Sequence, residues 1–108
     1  MTFKKDSFSR ARGASRFLDI TCSKCANHIC YYQKDGPGIL KRMYLDRIVG
    51  SSYQELEHKT FSEVPKFTCP ACKELLGTPM IYEKEKRLAF RLFVGAVVKK
   101  IVKGETLN

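Results

Sequence analysis

The segments Cys22-Ser23-Lys24-Cys25 and Cys69-Pro70-Ala71-Cys72 decide the fold of this 108-residue chain. Each is a CxxC pair, a spacing in which a tight turn directs both sulfur atoms to one side. Two such pairs supply the four thiolates of a closed tetrahedral metal site. The sequence therefore predicts one structural Cys₄ centre, with Zn²⁺ as the expected ion and four ligands: Cys22, Cys25, Cys69 and Cys72.

Other uses of these cysteines are less favoured. A tetrahedral S₄ site also accepts iron, and a rubredoxin-like electron carrier remains an alternative, although the charge of +9 and the absence of Trp argue against it. A thioredoxin-type redox site needs one CxxC at the start of a helix, and the second pair would then have no role. Disulfides fit poorly with an odd count of five cysteines.

The composition indicates one small basic protein. A chain of this length suits a single domain, and at this size a metal often supplements a limited apolar core. We expect a cytoplasmic location, because the sequence lacks the apolar stretch of a signal peptide or of a membrane span. The 20 Lys and Arg residues outnumber 11 acidic residues. This balance predicts nucleic acid or an acidic protein as partner, and neither a membrane nor a small-molecule substrate.

The predicted organisation has three parts. Residues 1–18 hold five basic residues and one acidic residue without a sustained period, which predicts a flexible basic arm. Such an arm either contacts phosphates or is simply a solvated terminus, and an organellar transit peptide has a similar composition. Residues 19–103 are predicted to form one domain, and residues 104–108 a short tail.

A β-hairpin is predicted after each CxxC turn. Residues 29–34 and 39–48 are β-prone and flank the turn signal Asp35-Gly36-Pro37-Gly38. Residues 80–83 and 88–94 repeat this order around a charged turn, and residues 97–102 predict a final strand. A short helix is possible near residues 52–60. The two halves resemble degenerate copies, in which three pairs correspond: Cys22 with Cys69, Tyr32 with Tyr82, and Tyr44 with Phe93.

Basic and aromatic residues alternate in both predicted hairpins. This combination is typical of small β surfaces that bind single-stranded nucleic acid, where cations contact phosphates and aromatic rings stack on bases. It also suits a protein-docking surface, so an interaction adaptor with a purely structural zinc site is the alternative. The candidate binding residues are Lys34, Lys41, Arg42, Arg47, Lys84, Lys86, Arg87 and Arg91.

No catalytic function is expected. A Cys₄ site leaves no open coordination position, and neither a Ser/His/Asp set nor a carboxylate pair is evident. Cys30 is predicted to be a small buried residue. His28 is predicted to lie at the surface or to donate to a ligand sulfur, and His58 has no predicted role.

The two cysteine segments resemble those of the zinc-ribbon group, in which rubredoxin-like CPxC turns lead into β-hairpins. Cys69-Pro70-Ala71-Cys72 matches that turn closely, and Cys22-Ser23-Lys24-Cys25 matches it without the proline. The chain is also similar to a set of small uncharacterised zinc-ribbon proteins, through residues 32–38 and 40–48. The resemblance covers residues 20–102 and implies a small, mostly β, zinc-stabilised domain of two hairpin halves that serves transcription, translation or complex assembly. The 43 residues between Cys25 and Cys69 exceed the spacing of the shortest ribbons.

Overall fold

The mostly β fold class is confirmed by the structure, a computed structural model that describes residues 15–36 and 38–102. Three short 3₁₀ helices accompany the strands of this part of the chain, at Leu45–Arg47, Ser52–His58 and Phe61–Glu63. The strands are β1 (Ser15–Cys22), β2 (His28–Asp35), β3 (Arg42–Tyr44), β4 (Ile48–Val49), β5 (Phe67–Thr68), β6 (Leu75–Tyr82), β7 (Arg87–Leu92) and β8 (Val97–Val102).

The strands form two four-stranded sheets that share one core. The first sheet has the order β4-β2-β1-β8, and the second has the order β3-β7-β6-β5. Ile20 and Tyr32 of the first sheet are buried in the same cluster as Met43, Phe67 and Phe90 of the second. The two sheets therefore pack against one another around this shared cluster.

The first predicted hairpin is wrong. β2 pairs along its length with β1, and residues 39–48 do not return beside it as one strand. Instead β3 joins the second sheet, and only β4 returns to β2. The reason is burial: in one straight strand Ile48 would face away from Met43 and Leu45. The 3₁₀ turn at Leu45–Arg47 redirects the chain, and all three side chains become almost fully buried.

The predicted boundary of the N-terminal arm at residue 18 is also wrong. Strand β1 begins at Ser15, and Phe17 and Leu18 are each only 3% exposed. The apolar pair therefore belongs to the domain, because both side chains are covered by packing. The rest of the predicted arm, residues 1–14, and the predicted tail, residues 104–108, lie outside the described residues.

The second predicted hairpin and the final strand are confirmed. β6 and β7 pair antiparallel, and β8 occupies residues 97–102 as expected. β7 ends at Leu92, two residues before the predicted end, so Val94 is exposed. The predicted short helix is a 3₁₀ helix at Ser52–His58, whose cap is Ser51: its side chain accepts a hydrogen bond from the Tyr53 amide at 3.2 Å.

The internal repeat is more regular than the sequence suggested. β2 and β6 have the same length and begin 47 positions apart, which is also the separation of Cys22 and Cys69. A register shift occurs after Ile20 in the first half and after Phe67 in the second, again 47 positions apart. In this ungapped alignment Tyr32 corresponds to Pro79 and Tyr44 to Arg91. The predicted equivalences of Tyr32 with Tyr82 and of Tyr44 with Phe93 are therefore wrong.

The two halves meet at a symmetric strand pair. β3 and β7 are equivalent segments, and they pair antiparallel with Met43 opposite Phe90, two residues that are themselves 47 positions apart. Arg42 consequently lies opposite Arg91, and Tyr44 lies opposite Ala89. This pairing joins the two halves through backbone hydrogen bonds.

Replacing Gly77 by Ala is expected to destabilise the domain by about 3 kcal/mol, because overpacking between paired strands forces the backbone apart. A Cβ atom at Gly77 would lie 2.4 Å from the carbonyl oxygen of Arg91. Urea unfolding followed by circular dichroism measures the loss. The control is Gly95→Ala, where no atom lies within 4 Å but φ is +74°, so only about 1 kcal/mol of backbone strain is expected. Equal losses in the two variants would contradict the steric argument.

Candidate metal centre

The same turn is built twice, once between β1 and β2 and once between β5 and β6. In each turn the carbonyl of the first cysteine accepts a hydrogen bond from the residue four positions on, at 2.8 Å for Cys22 and 2.9 Å for Cys69. Those donors, Ala26 and Lys73, have φ values of 64° and 67°, the left-handed conformation that closes the turn. We call each turn with its flanking residues a knuckle; the two knuckles present their sulfurs to one another.

The four predicted ligands come together. Their sulfur atoms all lie within 4.8 Å of one another. The closest contacts join the two knuckles, at 3.7 Å between the Sγ atoms of Cys22 and Cys72 and 3.6 Å between those of Cys25 and Cys69. In a tetrahedral site with metal–sulfur bonds of about 2.3 Å, neighbouring sulfurs are about 3.8 Å apart. The four cysteines therefore fit around a single metal ion.

The cluster lies at the edge of the hydrophobic core. Cys22 and Cys69 are buried within the core, Cys72 is partly buried against it, and Cys25 is exposed. Because the first cysteine of each knuckle is both a ligand and a core residue, an ion bound here would couple the two hairpins to the packing of the whole domain.

The thiols strongly influence one another's ionisation. Burial raises the pKa of Cys69, but hydrogen bonds from the backbone amides of Cys72 and Ala71 and from neighbouring thiols lower it to about 7. A backbone hydrogen bond from Glu74 favours the Cys72 thiolate, yet burial and the other thiols of the cluster raise its pKa to about 11. One thiol thus ionises readily, and its negative charge disfavours ionisation of the neighbouring thiols. A cation at the centre would stabilise all of the thiolates together.

An ion pair also bridges the two knuckles. Lys24 Nζ lies 2.8 Å from Glu74 Oε2, and this hydrogen bond, with the charges of Glu74, Cys72 and Cys22, raises the pKa of Lys24. Both side chains are exposed, so the pair adds little stability by itself. It keeps one positive charge beside the sulfurs. Sequence reasoning missed Glu74, because only the folded chain brings it next to Lys24.

The remaining cysteine and the histidines are not ligands in this arrangement. Cys30 is fully buried, as predicted, and burial followed by the nearby charge of Asp19 raises its pKa to about 12. His28 Nδ1 lies 2.6 Å from Asp19 Oδ1, and its ring packs against Tyr31. His58 is exposed beside Glu57.

Two of the predicted binding cations are largely removed from the surface. The Arg47 side chain is 3% exposed and pairs with the buried carboxylate of Asp35 at 3.1 Å, so it is not available to a partner. The Arg87 side chain is 11% exposed and pairs with Asp46 and Glu85. The sequence could not show that these two arginines are buried, because their acidic partners Asp35 (for Arg47) and Asp46 (for Arg87) are distant along the chain.

Two other predicted arginines share one face of the second sheet. Arg42 and Arg91 are directly opposite one another, and Tyr44 and Tyr82 lie on the same side of the pleat. The Arg42 guanidinium lies 3.9 Å above the centre of the Tyr82 ring, and the two tyrosine rings are 5.9 Å apart. These four residues are called the arginine–tyrosine face.

The predicted lysines lie around this face and elsewhere. Lys41, Lys84 and Lys86 are exposed next to the strands that carry it. Lys34 is partly buried in the first sheet, where its ammonium donates a hydrogen bond to the carbonyl of Gly36. Burial, together with repulsion from Arg16 and Lys99, lowers the pKa of Lys34.

Comparisons with protein-family models, with curated proteins and with solved structures find no match for this chain. The resemblance to zinc ribbons therefore depends on the residues and on the geometry of the two knuckles. Within residues 15–36 and 38–102, no helix is long and apolar enough to cross a membrane.

Purified protein is expected to hold about one divalent metal ion per chain, measured by elemental analysis. Cys22→Ser and Cys69→Ser each remove a ligand and should lower that content below half an equivalent. They should also abolish the β circular dichroism signal, because the metal holds two distant hairpins together. The matched control, Cys30→Ala, removes a cysteine outside the cluster and should retain the ion. A Cys22→Ser protein that keeps a full equivalent would contradict this assignment.

Alkylation should distinguish the five thiols by their burial. In the folded, metal-loaded protein at pH 8, Cys30 is expected to remain unmodified by iodoacetamide, since its thiol is enclosed and its pKa is about 12. After chelation in denaturant, all five cysteines should react, which mass spectrometry counts directly. Modification of Cys30 under native conditions at the rate of a free thiol would show that the first sheet opens readily.

Proposed function

We propose that the chain is a non-catalytic zinc module that binds nucleic acid, or a nucleoprotein assembly, through the arginine–tyrosine face. The Cys₄ cluster supports the structural part, because four thiolates complete the tetrahedral shell of Zn²⁺ and leave no position for a substrate. The net charge of +9 supports a polyanionic partner.

The observation that carries the proposal is the cross-strand pair Arg42 and Arg91. Like charges directly opposite in an antiparallel pair repel each other and destabilise the sheet. Arg91 is exposed, and none of the acidic side chains in the described part of the chain forms an ion pair with it. A phosphate between the two guanidinium groups would remove this repulsion and bond both.

The tyrosines add a stacking surface to this charge. The Arg42 guanidinium lies over the Tyr82 ring, and together they offer a cation and an aromatic ring on which a nucleobase can stack. The Tyr44 ring is held beneath the guanidinium of Arg87 at 3.9 Å, and Arg87 is itself fixed by Asp46 and Glu85. Unpaired bases are the ones that can reach such a surface, so single-stranded nucleic acid is the favoured ligand.

Fluorescence anisotropy with a labelled single-stranded oligonucleotide tests this proposal. We expect micromolar or tighter binding that weakens with salt, and a loss of about tenfold for Arg42→Gln and for Arg91→Gln. The control variants Lys59→Gln and Lys66→Gln change the net charge equally on exposed residues outside the face and should lose less than threefold. Absence of binding at low salt, or equal losses in all four variants, would reject the proposed surface.

The identity of the metal is tested in the same preparation. Zn²⁺ leaves the protein colourless, whereas the alternative iron site would absorb visible light and change on reduction. A coloured protein with one iron per chain would overturn the zinc assignment and favour electron transfer.

A second candidate function is the protein-interaction adaptor. It is supported by a different part of the surface, the exposed apolar residues Phe93, Val94, Val98 and Ile101 in and beside β8. Exposed apolar side chains that cluster in this way often mark a docking site.

A further inference from the structure

The edge strand β8 leaves backbone hydrogen-bonding groups unpaired. It pairs with β1 and ends the first sheet, so no strand within residues 15–36 and 38–102 lies on its other side. The Ser23 amide donates to the Ala96 carbonyl at 3.1 Å, so Ser23 and Ala96 form a hydrogen-bonded pair. In an antiparallel ladder, hydrogen-bonded pairs alternate with pairs whose backbone groups point away from one another. The backbone groups of Val97, Lys99 and Ile101 therefore point away from β1.

A groove of about 440 Å³ lies beside this edge, where the two sheets separate. Its apolar lining includes Leu40, Leu92 and Phe93. The side chain of Lys99 faces this side of the sheet, because Lys99 lies opposite the buried residue Ile20. A strand added to β8 would thus direct every second side chain into the groove.

The charge of the groove indicates the chemistry of its partner. Lys41, Arg91 and Lys99 line it, and none of its lining residues in the described part of the chain is acidic. Repulsion between Lys99 and Lys34 is strong enough to contribute to the lowered pKa of Lys34. The carboxylates of an acidic partner would reduce the repulsion among these cations.

A second copy of this chain fits the edge poorly. Pairing two β8 strands would bring the adjacent lysines Lys99 and Lys100 of each copy together, and lysine on an edge strand is a common device against self-association. Nucleic acid uses neither the unpaired backbone groups nor the apolar lining. The combination of open edge, apolar groove and cations fits an acidic extended peptide best.

We propose that β8 and the adjacent groove bind an extended acidic segment of a partner protein, which adds as an antiparallel strand to the first sheet. Its groove-facing side chains are both apolar, over Leu40 and Phe93, and acidic, beside Lys99. This site is separate from the arginine–tyrosine face except for Arg91, and it does not depend on nucleic-acid binding.

Titration of a fluorescein-labelled Thr-Val-Thr-Asp-Thr-Phe-Thr-Asp-Thr peptide into the metal-loaded protein tests the proposal, because its valine, phenylalanine and aspartates all face the groove when it pairs antiparallel with β8. Anisotropy should show saturable binding, and amide chemical shifts should change most at Val97, Lys99 and Ile101. The same peptide with lysine in place of aspartate should not bind. A third peptide, N-methylated at the valine and phenylalanine amides, should bind at least tenfold more weakly, because it lacks two of the backbone donors to β8.

Two neighbouring lysines provide matched variants. Lys99→Glu places an acid at the groove, whereas Lys100→Glu makes the same charge change on the opposite face of β8. We expect Lys99→Glu to weaken the aspartate peptide about tenfold and to allow the lysine peptide to bind, and Lys100→Glu to weaken it less than threefold. Unchanged metal content and circular dichroism verify that both variants fold.

The outcomes separate the two proposals. Arg42→Gln should weaken the oligonucleotide and leave the aspartate peptide unaffected, and Lys99→Glu should weaken the peptide more than the oligonucleotide. Equal effects of Lys99→Glu and Lys100→Glu would show that the peptide is held only by general electrostatic attraction, and would overturn the proposal. It would also be overturned by shifts confined to the arginine–tyrosine face or by β8-mediated dimers in sedimentation.

Discussion

The constraint on which the rest of the structure depends is the convergence of four sulfur atoms from two hairpins within 4.8 Å. Thiolates at such distances repel one another, so the arrangement is favourable only when a cation balances their charge. Cys22 and Cys69 also belong to the core, so a metal ion bound here would fix the mutual position of the two sheets. For a small domain with limited apolar burial, this coupling between metal binding and folding is the expected source of stability.

The repeat explains why one metal can organise so much of the chain. Each half contributes an equivalent strand–knuckle–strand unit, and the halves meet again where Met43 and Phe90 pair. Phe67 stacks on Phe90 with ring centres 4.7 Å apart, and Tyr53 packs edge-on against both rings. The two halves thus meet at the cysteine cluster at one end, and through backbone pairing and aromatic packing in the middle. The outer faces and edges take no part in these contacts, so they can differ between the halves.

The distribution of charge gives those outer surfaces different chemistry. The pair of Asp35 and Arg47 is buried, and removal of either partner would leave an uncompensated charge inside the protein. Arg42 and Arg91, by contrast, face one another across two strands without an acid between them. The edge of β8 combines lysines with exposed valine and isoleucine. The proposed nucleic-acid surface and the proposed peptide-binding edge therefore differ in chemistry and share only Arg91.

The sequence alone determined which four cysteines cluster, the mostly β class, the second hairpin and the strand at residues 97–102. These depend on local signals: the CxxC spacing, alternating apolar residues and turn residues act over a few positions. It did not determine the partner of β2, the path of residues 39–49 or the burial of Arg47, because each depends on which distant segment covers a side chain. Met43, Leu45 and Ile48 could all reach the core only after the chain crossed between sheets, and Arg47 needed the buried Asp35. Tertiary packing also decided which arginines face solvent, since their charge is the same in sequence and only burial and ion pairing distinguish them.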